Sequence, residues 1–321
     1  MKAVVFLFTF ITLECIAQPT LVLPLDCEPG NTCVVQNYVE RGSRDYRCGF
    51  LTYQGHKGTD LRVTDHDEFV RGVAVTAAAA GRVRAVRDGM QDISIRASGA
   101  PSVEGKEAGN SVLIEHGEGW ETQYSHMRLG SVKVRAGDQV ERGAVLGVVG
   151  LSGQTEFPHL HFEVRRAGRP VDPFDGQEPA TACGAGGAPL WGSRTMRALE
   201  YQASGVLDAG ISGSEPLFAN GAVDRAKLQA FSKSSGVAMF WAQIYGLQQG
   251  DLQQLRFLDP GGKVIAERKV PVSRNLAQSF ASIGASRRIF SWSAGTYRGE
   301  YTLLRGSEKV VELSREITVP R

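Results

Sequence analysis

Apolar and polar residues alternate through many short stretches of this chain, which predicts strands rather than helices. In residues 158–164, Leu160, Phe162 and Val164 alternate with two histidines and a glutamate, the period of two expected of a half-buried strand. The same reading, with glycine turns between the stretches, predicts further short strands at 59–63, 81–86, 111–115, 120–125, 132–134, 136–140 and 143–150. A compact antiparallel β-domain follows from this spacing.

Apolar runs return in the C-terminal third of the chain, and turn residues such as those at 259–262 and 305–307 separate them. The predicted strands there are 236–245, 252–258, 263–270, 288–293, 296–305 and 309–313. This pattern predicts an immunoglobulin-like β-sandwich. A small-residue stretch at 183–189 precedes it, so we expect a first domain at 18–183, a linker at 184–195 and a second domain at 196–321.

The first 17 residues have the composition of a secretory signal peptide: Lys2, an apolar core, and small residues before Gln18. A lipoprotein signal would modify Cys15, but Glu14 directly before it fits that signal poorly. Removal of the leader leaves four cysteines, which in an exported chain predict two disulfides. Of three possible connectivities we favour Cys27–Cys33 with Cys48–Cys183, because the near pair closes around a Pro-Gly turn. The mature protein is therefore expected in the periplasm or outside the cell.

Charge excludes some classes of function. The net charge is +2 and no run of basic residues is present, so a nucleic-acid partner is not expected. Beyond the leader, no apolar stretch is long enough to predict a transmembrane segment.

All six histidines fall within residues 56–161, and their spacing suggests a metal site. A His-x-x-x-Asp motif at 56–60 and a His-x-His motif at 159–161 together supply the three protein ligands typical of catalytic zinc. With the segments 55–60, 122–127, 137–150 and 158–163 in this order, the sequence resembles the lysostaphin-type (LytM-domain) zinc endopeptidases, which cut peptide cross-links in bacterial cell walls.

The resemblance implies a small antiparallel β catalytic domain of the duplicated-hybrid-motif type. It implies one Zn²⁺ per chain, bound by His56, Asp60 and His161, with His126 and His159 as the catalytic pair. Glu163 is a second choice as the base. His116 is expected to be structural, and His66 to lie in a solvated charged loop.

The function implied is an exported zinc metalloendopeptidase that hydrolyses peptidoglycan stem peptides or cross-bridges. The alternative is a catalytically inactive LytM-type domain that binds and activates another cell-wall hydrolase. A biotinyl or lipoyl carrier domain has similar Gly-Asp-x-Val segments, but no lysine stands at a suitable hairpin tip. The C-terminal part contains no histidine, so we expect it to be dispensable for bond cleavage itself. It could contact wall polymer, bind a protein partner or serve as a passive spacer.

Overall fold

The computed structural model describes residues 18–64, 66–99, 103–219, 221–289 and 291–321, so the predicted leader at 1–17 lies outside the described residues. Within these ranges the chain is mainly β, as the sequence predicted, with short helices α1 (His66–Arg71), α2 (Ile95–Ser98) and α3 (Ser193–Ala198). None of the described helices has the length and apolar character needed to span a membrane.

The first sheet is antiparallel throughout and holds the histidine motifs. Its strands follow the order β1-β2-β9-β6-β5-β4-β7, with β10 paired to β9. The bounds are β1 (Cys33–Asn37), β2 (Thr59–Val63), β4 (Gly81–Arg87), β5 (Asn110–Glu115), β6 (Trp120–Met127), β7 (Gln139–Val140), β9 (His159–Arg166) and β10 (Arg169–Val171). A separate antiparallel pair joins β3 (Ala74–Thr76) to β8 (Val145–Val148).

Alternation along the central strands explains why this sheet forms. Leu61, Leu160, Phe162 and Tyr124 point to one face and are fully buried in the first hydrophobic core. The polar residues between them therefore share the opposite face. That face is also largely covered, since His159 is only 4% exposed, so the strand predicted to be half-buried is buried on both sides.

Two further sheets make up the C-terminal part and enclose a second hydrophobic core. One contains β11 (Gly205–Ser212), β14 (Val237–Leu247) and β17 (Leu276–Ser286), in that order. The other follows the order β16-β15-β18-β19, with bounds Val264–Pro271, Leu252–Leu258, Gly295–Arg305 and Glu308–Val319. A small hairpin of β12 (Phe218–Ala219) and β13 (Ala222–Val223) precedes a 3₁₀ turn at Arg225–Lys227. Two antiparallel sheets around one core fit the predicted sandwich.

Several elements differ from the sequence prediction. β1 and β17 were not predicted, because the sequence of β1 does not alternate between apolar and polar residues and β17 mixes Ser, Gly and Ala with few large apolar residues. No strand forms at 132–134 or in the described residues of 288–293. Leu190 and Trp191, within the predicted linker, are buried in the first core together with Leu207 and Tyr245. The division into domains stays a prediction.

Both disulfides have the predicted connectivity. Cys27 bonds to Cys33, and Cys48 bonds to Cys183 across 135 positions of sequence. The second bond joins the segment before the histidine motifs to the segment after them, so it closes a loop that contains the whole first sheet except β1.

Candidate metal centre

Strand pairing brings the three predicted metal ligands together. Asp60 on β2 lies directly opposite His161 on β9, and residues opposite each other in an antiparallel pair share a face. His56 reaches the same point from the glycine turn that precedes β2. At Gly58 an added Cβ would lie only 2.8 Å from the His161 ring, so this turn requires a residue without a side chain.

Three donor atoms converge there. The His161 Nδ1 atom lies 2.9 Å from Asp60 Oδ1 and 3.2 Å from His56 Nε2, and the latter is 3.0 Å from Asp60 Oδ1. Tetrahedral zinc with bonds of about 2.0–2.1 Å separates its ligand atoms by roughly 3.3 Å. Two imidazole nitrogens and one carboxylate oxygen at this spacing fit a zinc ion.

Neighbouring groups orient the donors for a cation. The His56 Nδ1 atom is 2.7 Å from the Tyr38 carbonyl, which can only accept, so His56 donates there and leaves Nε2 with a free lone pair. Asn37 donates to Asp60 Oδ2 at 2.9 Å, which leaves Oδ1 for the central point. Neither partner was identified from the sequence, because a backbone carbonyl carries no side-chain signal and Asn37 lies on the unpredicted strand β1.

The electrostatics favour an ionised carboxylate at this point. Burial acts to raise the pKa of Asp60, but the charges of His56 and His159 and hydrogen bonds from His159 and His161 outweigh it and hold the pKa well below its ordinary value. Burial acts to lower the pKa of His56, but Asp60 more than offsets it and the net pKa is raised. The donor set therefore attracts positive charge.

The two remaining predicted histidines lie beside this point. The His126 ring centroid is 4.8 Å from that of His159 and 5.9 Å from that of His161. His159 Nε2 also lies 3.3 Å from Asp60 Oδ1. Consequently His126, His159 and His161 form a second group of three whose ligand atoms lie within 4.8 Å of one another.

A break in strand β6 brings His126 to this side of the sheet. Ser125 is the partner opposite His161, so its neighbour would point to the other face of a regular strand. His126 instead has φ +63°, a left-handed conformation that histidine adopts more readily than most residues. Burial and the nearby charges of His159 and His161 hold the pKa of His126 well below its ordinary value.

One loop, residues 151–158, orients both of these rings, and we call it the positioning loop. His126 donates from Nδ1 to the carbonyl of Ser152 at 2.8 Å. His159 donates from Nδ1 to the carbonyl of Phe157 at 2.9 Å, and the Thr155 hydroxyl, which itself donates to that carbonyl, lies 3.1 Å from the same nitrogen. Since a carbonyl only accepts, the Nε2 atom of the neutral His126 ring keeps a free lone pair. These two carbonyls were not identified from the sequence because, like the carbonyl of Tyr38, a backbone group carries no side-chain signal.

The positioning loop packs against the long loop of 88–111. The backbone amide of Gln154 donates to the backbone carbonyl of Glu107 at 2.8 Å, and that of Ile95 donates to the backbone carbonyl of Thr155 at 3.0 Å. The two backbones cross so closely that an added Cβ at Gly153 would lie 2.3 Å from the Glu107 carbonyl oxygen. The long loop thus supports the loop that holds the histidines.

The other residues considered from the sequence lie in less reactive settings. Glu163 is buried and contacts Arg165 at 3.5 Å. His116 is held by the Ala80 carbonyl and the Thr122 hydroxyl at 2.7 and 2.8 Å, in agreement with the structural role expected of it. His66 begins α1 and belongs to neither histidine group found among the described residues.

Comparison with known proteins agrees with this geometry. Residues 54–173 match the family model described as Peptidase family M23. This region is an M23 peptidase domain. It contains all five of the histidine and aspartate residues described above.

Curated relatives match short stretches of the chain. Cell division protein DipM of Caulobacter vibrioides is 45% identical over 71 residues, which are 20% of this chain and 11% of that protein. The DD-carboxypeptidase/endopeptidase Mpg of Neisseria meningitidis is 40% identical over 87 residues, or 26% of this chain and 20% of the relative. Peptidoglycan DD-endopeptidase ShyA of Vibrio cholerae is 40% identical over 72 residues, or 22% and 16%. The chain thus spans between a tenth and a fifth of the length of these relatives.

Similarity to solved structures is weaker. The lysostaphin catalytic domain of Staphylococcus simulans has 21% sequence identity and a TM-score of 0.29, over 43% of this chain and 85% of that one. A SpoIIQ–SpoIIIAH pore forming complex has 20% identity and a TM-score of 0.36, over 51% and 94%. Matches at this level support no argument about function.

Proposed function

We propose that the protein is an exported zinc endopeptidase that hydrolyses peptide bonds in peptidoglycan. The observation that carries this proposal is the pairing of two sites. A cation site with one carboxylate and two imidazole donors lies directly beside two buried imidazoles, His126 and His159, whose Nδ1 atoms each lie within 2.9 Å of a backbone carbonyl. The first is suited to a metal ion and the second to proton transfer.

His56, Asp60 and His161 would hold the zinc ion. When bound there, zinc would polarise the scissile carbonyl and lower the pKa of water toward about 7. The single carboxylate keeps the net charge of the site positive. Asn37 and the Tyr38 carbonyl fix two of the ligands in orientation, as partners of metal ligands commonly do.

His126 and His159 would act on the substrate. One Nε2 atom accepts a proton from the attacking water, and the resulting imidazolium can donate a proton to the departing amine. A protonated ring also donates a hydrogen bond to negative charge that develops on the carbonyl oxygen. The low pKa of His126 keeps this ring neutral at neutral pH, so it serves best as the group that starts unprotonated.

The substrate class is inferred from the relatives. Two of them are named for DD-endopeptidase activity, and one of these names includes peptidoglycan. Export is inferred from the leader composition and from the two disulfides, which persist in oxidising compartments. Stem peptides or cross-bridges of peptidoglycan are therefore the proposed substrates.

Digestion of purified peptidoglycan tests the proposal. Incubation with the zinc-loaded protein should release peptide fragments that mass analysis identifies, and a chelator should stop their release. The matched control is His159→Ala, which leaves the three proposed ligands in place. It should retain zinc and lose on the order of 10² or more in rate. A folded, zinc-loaded wild-type protein that releases no fragment would favour the alternative of an inactive domain that activates another hydrolase.

A further inference from the structure

Arg62 is an unusual residue to find beside a metal centre. It lies on β2, two positions after Asp60 and directly opposite His159 on β9, so its side chain shares the face that carries the metal site. It is only 1% exposed, although arginine is almost never buried without a partner. Among the described residues no carboxylate forms an ion pair with it.

Neutral acceptors from two parts of the chain surround the guanidinium instead. Its Nη1 atom donates to Gln36 Oε1 at 2.8 Å and to Gln278 Oε1 at 2.7 Å, and its Nη2 atom donates to the Gly221 carbonyl at 2.6 Å. Gln36 is in β1, whereas Gln278 belongs to β17 of the C-terminal part and Gly221 to the hairpin of β12 and β13. Arg62 therefore binds the two parts of the chain to each other.

The C-terminal acceptors are themselves held in place. The Gln243 amide on β14, which is 1% exposed, donates to the Gly221 carbonyl at 2.7 Å and to Gln278 Oε1 at 2.9 Å. A three-way hydrogen-bonded cluster of Gln243, Gln278 and Gly221 thus presents two fixed oxygens to Arg62. We call these three residues the glutamine cluster.

Arg62 also reaches the positioning loop. Its guanidinium lies over the Phe157 ring, with 4.4 Å from Cζ to the ring centroid, a cation–π contact. Gly221 presses on the same residue, since an added Cβ there would lie 2.6 Å from Phe157 Cβ. The carbonyl of Phe157 accepts the Nδ1 hydrogen bond of His159, and the two rings lie 4.8 Å apart. A continuous series of contacts thus leads from the glutamine cluster to His159.

We propose that Arg62 is a positioning residue and that the C-terminal strands complete the catalytic centre through it. The glutamine cluster fixes the guanidinium, which fixes Phe157, whose carbonyl sets the ring orientation and tautomer of His159. The histidine-free C-terminal part was expected from the sequence to be dispensable for bond cleavage. The contacts of Arg62 lead to the opposite expectation, because removal of that part would take away two of the three hydrogen-bond acceptors that fix the guanidinium in place.

The test uses the full-length, zinc-loaded protein, and its first two variants change only residues of the C-terminal part. Gln278→Leu removes an acceptor of Arg62 at similar side-chain volume, and Gln243→Leu removes the donor that holds the cluster but leaves the direct partners of Arg62 intact. We expect both variants to keep wild-type zinc content and KM, with kcat reduced roughly tenfold or more, since small misplacements of a catalytic group are costly. A third variant, Arg62→Lys, should also lower kcat, because one ammonium cannot reproduce the planar fork that donates to three oxygens.

Imidazole ¹⁵N spectra supply a readout that does not depend on activity. Wild-type His159 should show a protonated Nδ1 and a bare Nε2, and the variants should show mixed tautomers or a broadened signal. The control is Leu303→Ala in the second hydrophobic core, which should lower thermal stability but leave kcat and the His159 signal unchanged.

The possible outcomes distinguish a failure of this inference from a failure of the proposed function, on which the inference rests. Folded, zinc-loaded Gln278→Leu and Gln243→Leu proteins with wild-type kcat and wild-type His159 spectra would overturn it and leave Arg62 a purely structural contact. A wild-type protein that cleaves no peptide would instead contradict the proposed function. The ¹⁵N spectra would then decide the positioning role alone. Should one leucine variant fail to fold, the other variant and Arg62→Lys still decide between these results.

Discussion

Replacement of His56 and of His126 distinguishes the two groups of donors that could hold a metal ion. His161 belongs to both groups, so its removal cannot tell them apart. His56→Ala removes a donor that lies 3.0 Å from Asp60 Oδ1 and 3.2 Å from His161 Nδ1. His126→Ala leaves that set intact. We expect the ion to prefer the group with Asp60, because a buried carboxylate with a low pKa adds the negative charge that three neutral imidazoles lack.

The expected difference is large enough to measure. Loss of a partner behind a metal ligand costs about 10–100-fold in affinity, so loss of a ligand itself should cost about 100-fold or more. This corresponds to roughly 2.8 kcal/mol of binding free energy. Competition with a chelator of known affinity gives the zinc dissociation constant, with circular dichroism to confirm folding. His126→Ala should stay within about tenfold of wild type. If His126→Ala loses zinc while His56→Ala keeps it, the metal belongs to the three-histidine group and our reasoning about Asp60 is wrong.

Three other perturbations test the surroundings of the site. Gly153→Ala should lower kcat with zinc retained, because its Cβ would meet the Glu107 carbonyl at 2.3 Å and displace the positioning loop. The control is Gly143→Ala, since Gly143 also has a positive φ but an added Cβ there would have no atom within 4 Å. This control should cost only stability, about 1 kcal/mol by thermal denaturation. Replacement of the Cys48–Cys183 pair by serine should lower the free energy of unfolding by roughly 5 kcal/mol, against about 2 kcal/mol for Cys27–Cys33, from the lengths of the closed loops. Equal losses would contradict the loop-entropy argument. Burial, with the nearby charge of Asp175, raises the pKa of Asp172 to about 7. Its contribution to stability is therefore fully present below about pH 4 and is lost as the pH rises through 7. Asp172→Asn should gain stability relative to wild type between pH 5 and pH 8, measured by urea denaturation, and a constant difference between the two proteins would refute the pKa shift.

The sequence predicted the site residues better than it predicted their support. His56, Asp60, His159 and His161 were chosen from motif spacing and His126 from the family resemblance, and all five converge in the structure. Strand pairing explains this success for Asp60 and His161, because two motifs on adjacent antiparallel strands need only the correct register to meet. The roles assigned to these residues, as ligands or as catalysts, stay predictions.

Support for the site was not predicted, and the reasons are physical. Tyr38, Ser152 and Phe157 act through their carbonyl groups, which every residue has, so no residue type marks them. Strand β17 was missed because its sequence lacks the alternation of a half-buried strand, and Gln278 was missed with it. Arg62 was not singled out from the sequence, since burial of a charge by a distant part of the chain leaves no local pattern.

One loop orients both of the histidines proposed to be catalytic, and this affects how the site can change. His126 and His159 are held by carbonyls only five residues apart, so a movement of the positioning loop alters both rings at once. The three proposed zinc ligands lie on or next to β2 and β9, and β2 pairs with both β1 and β9. Strands held by continuous sheet hydrogen bonds resist local opening, whereas a loop held by a few backbone hydrogen bonds opens at lower free energy. Changes at the long loop or at the glutamine cluster should therefore alter the rate of cleavage before they alter zinc binding.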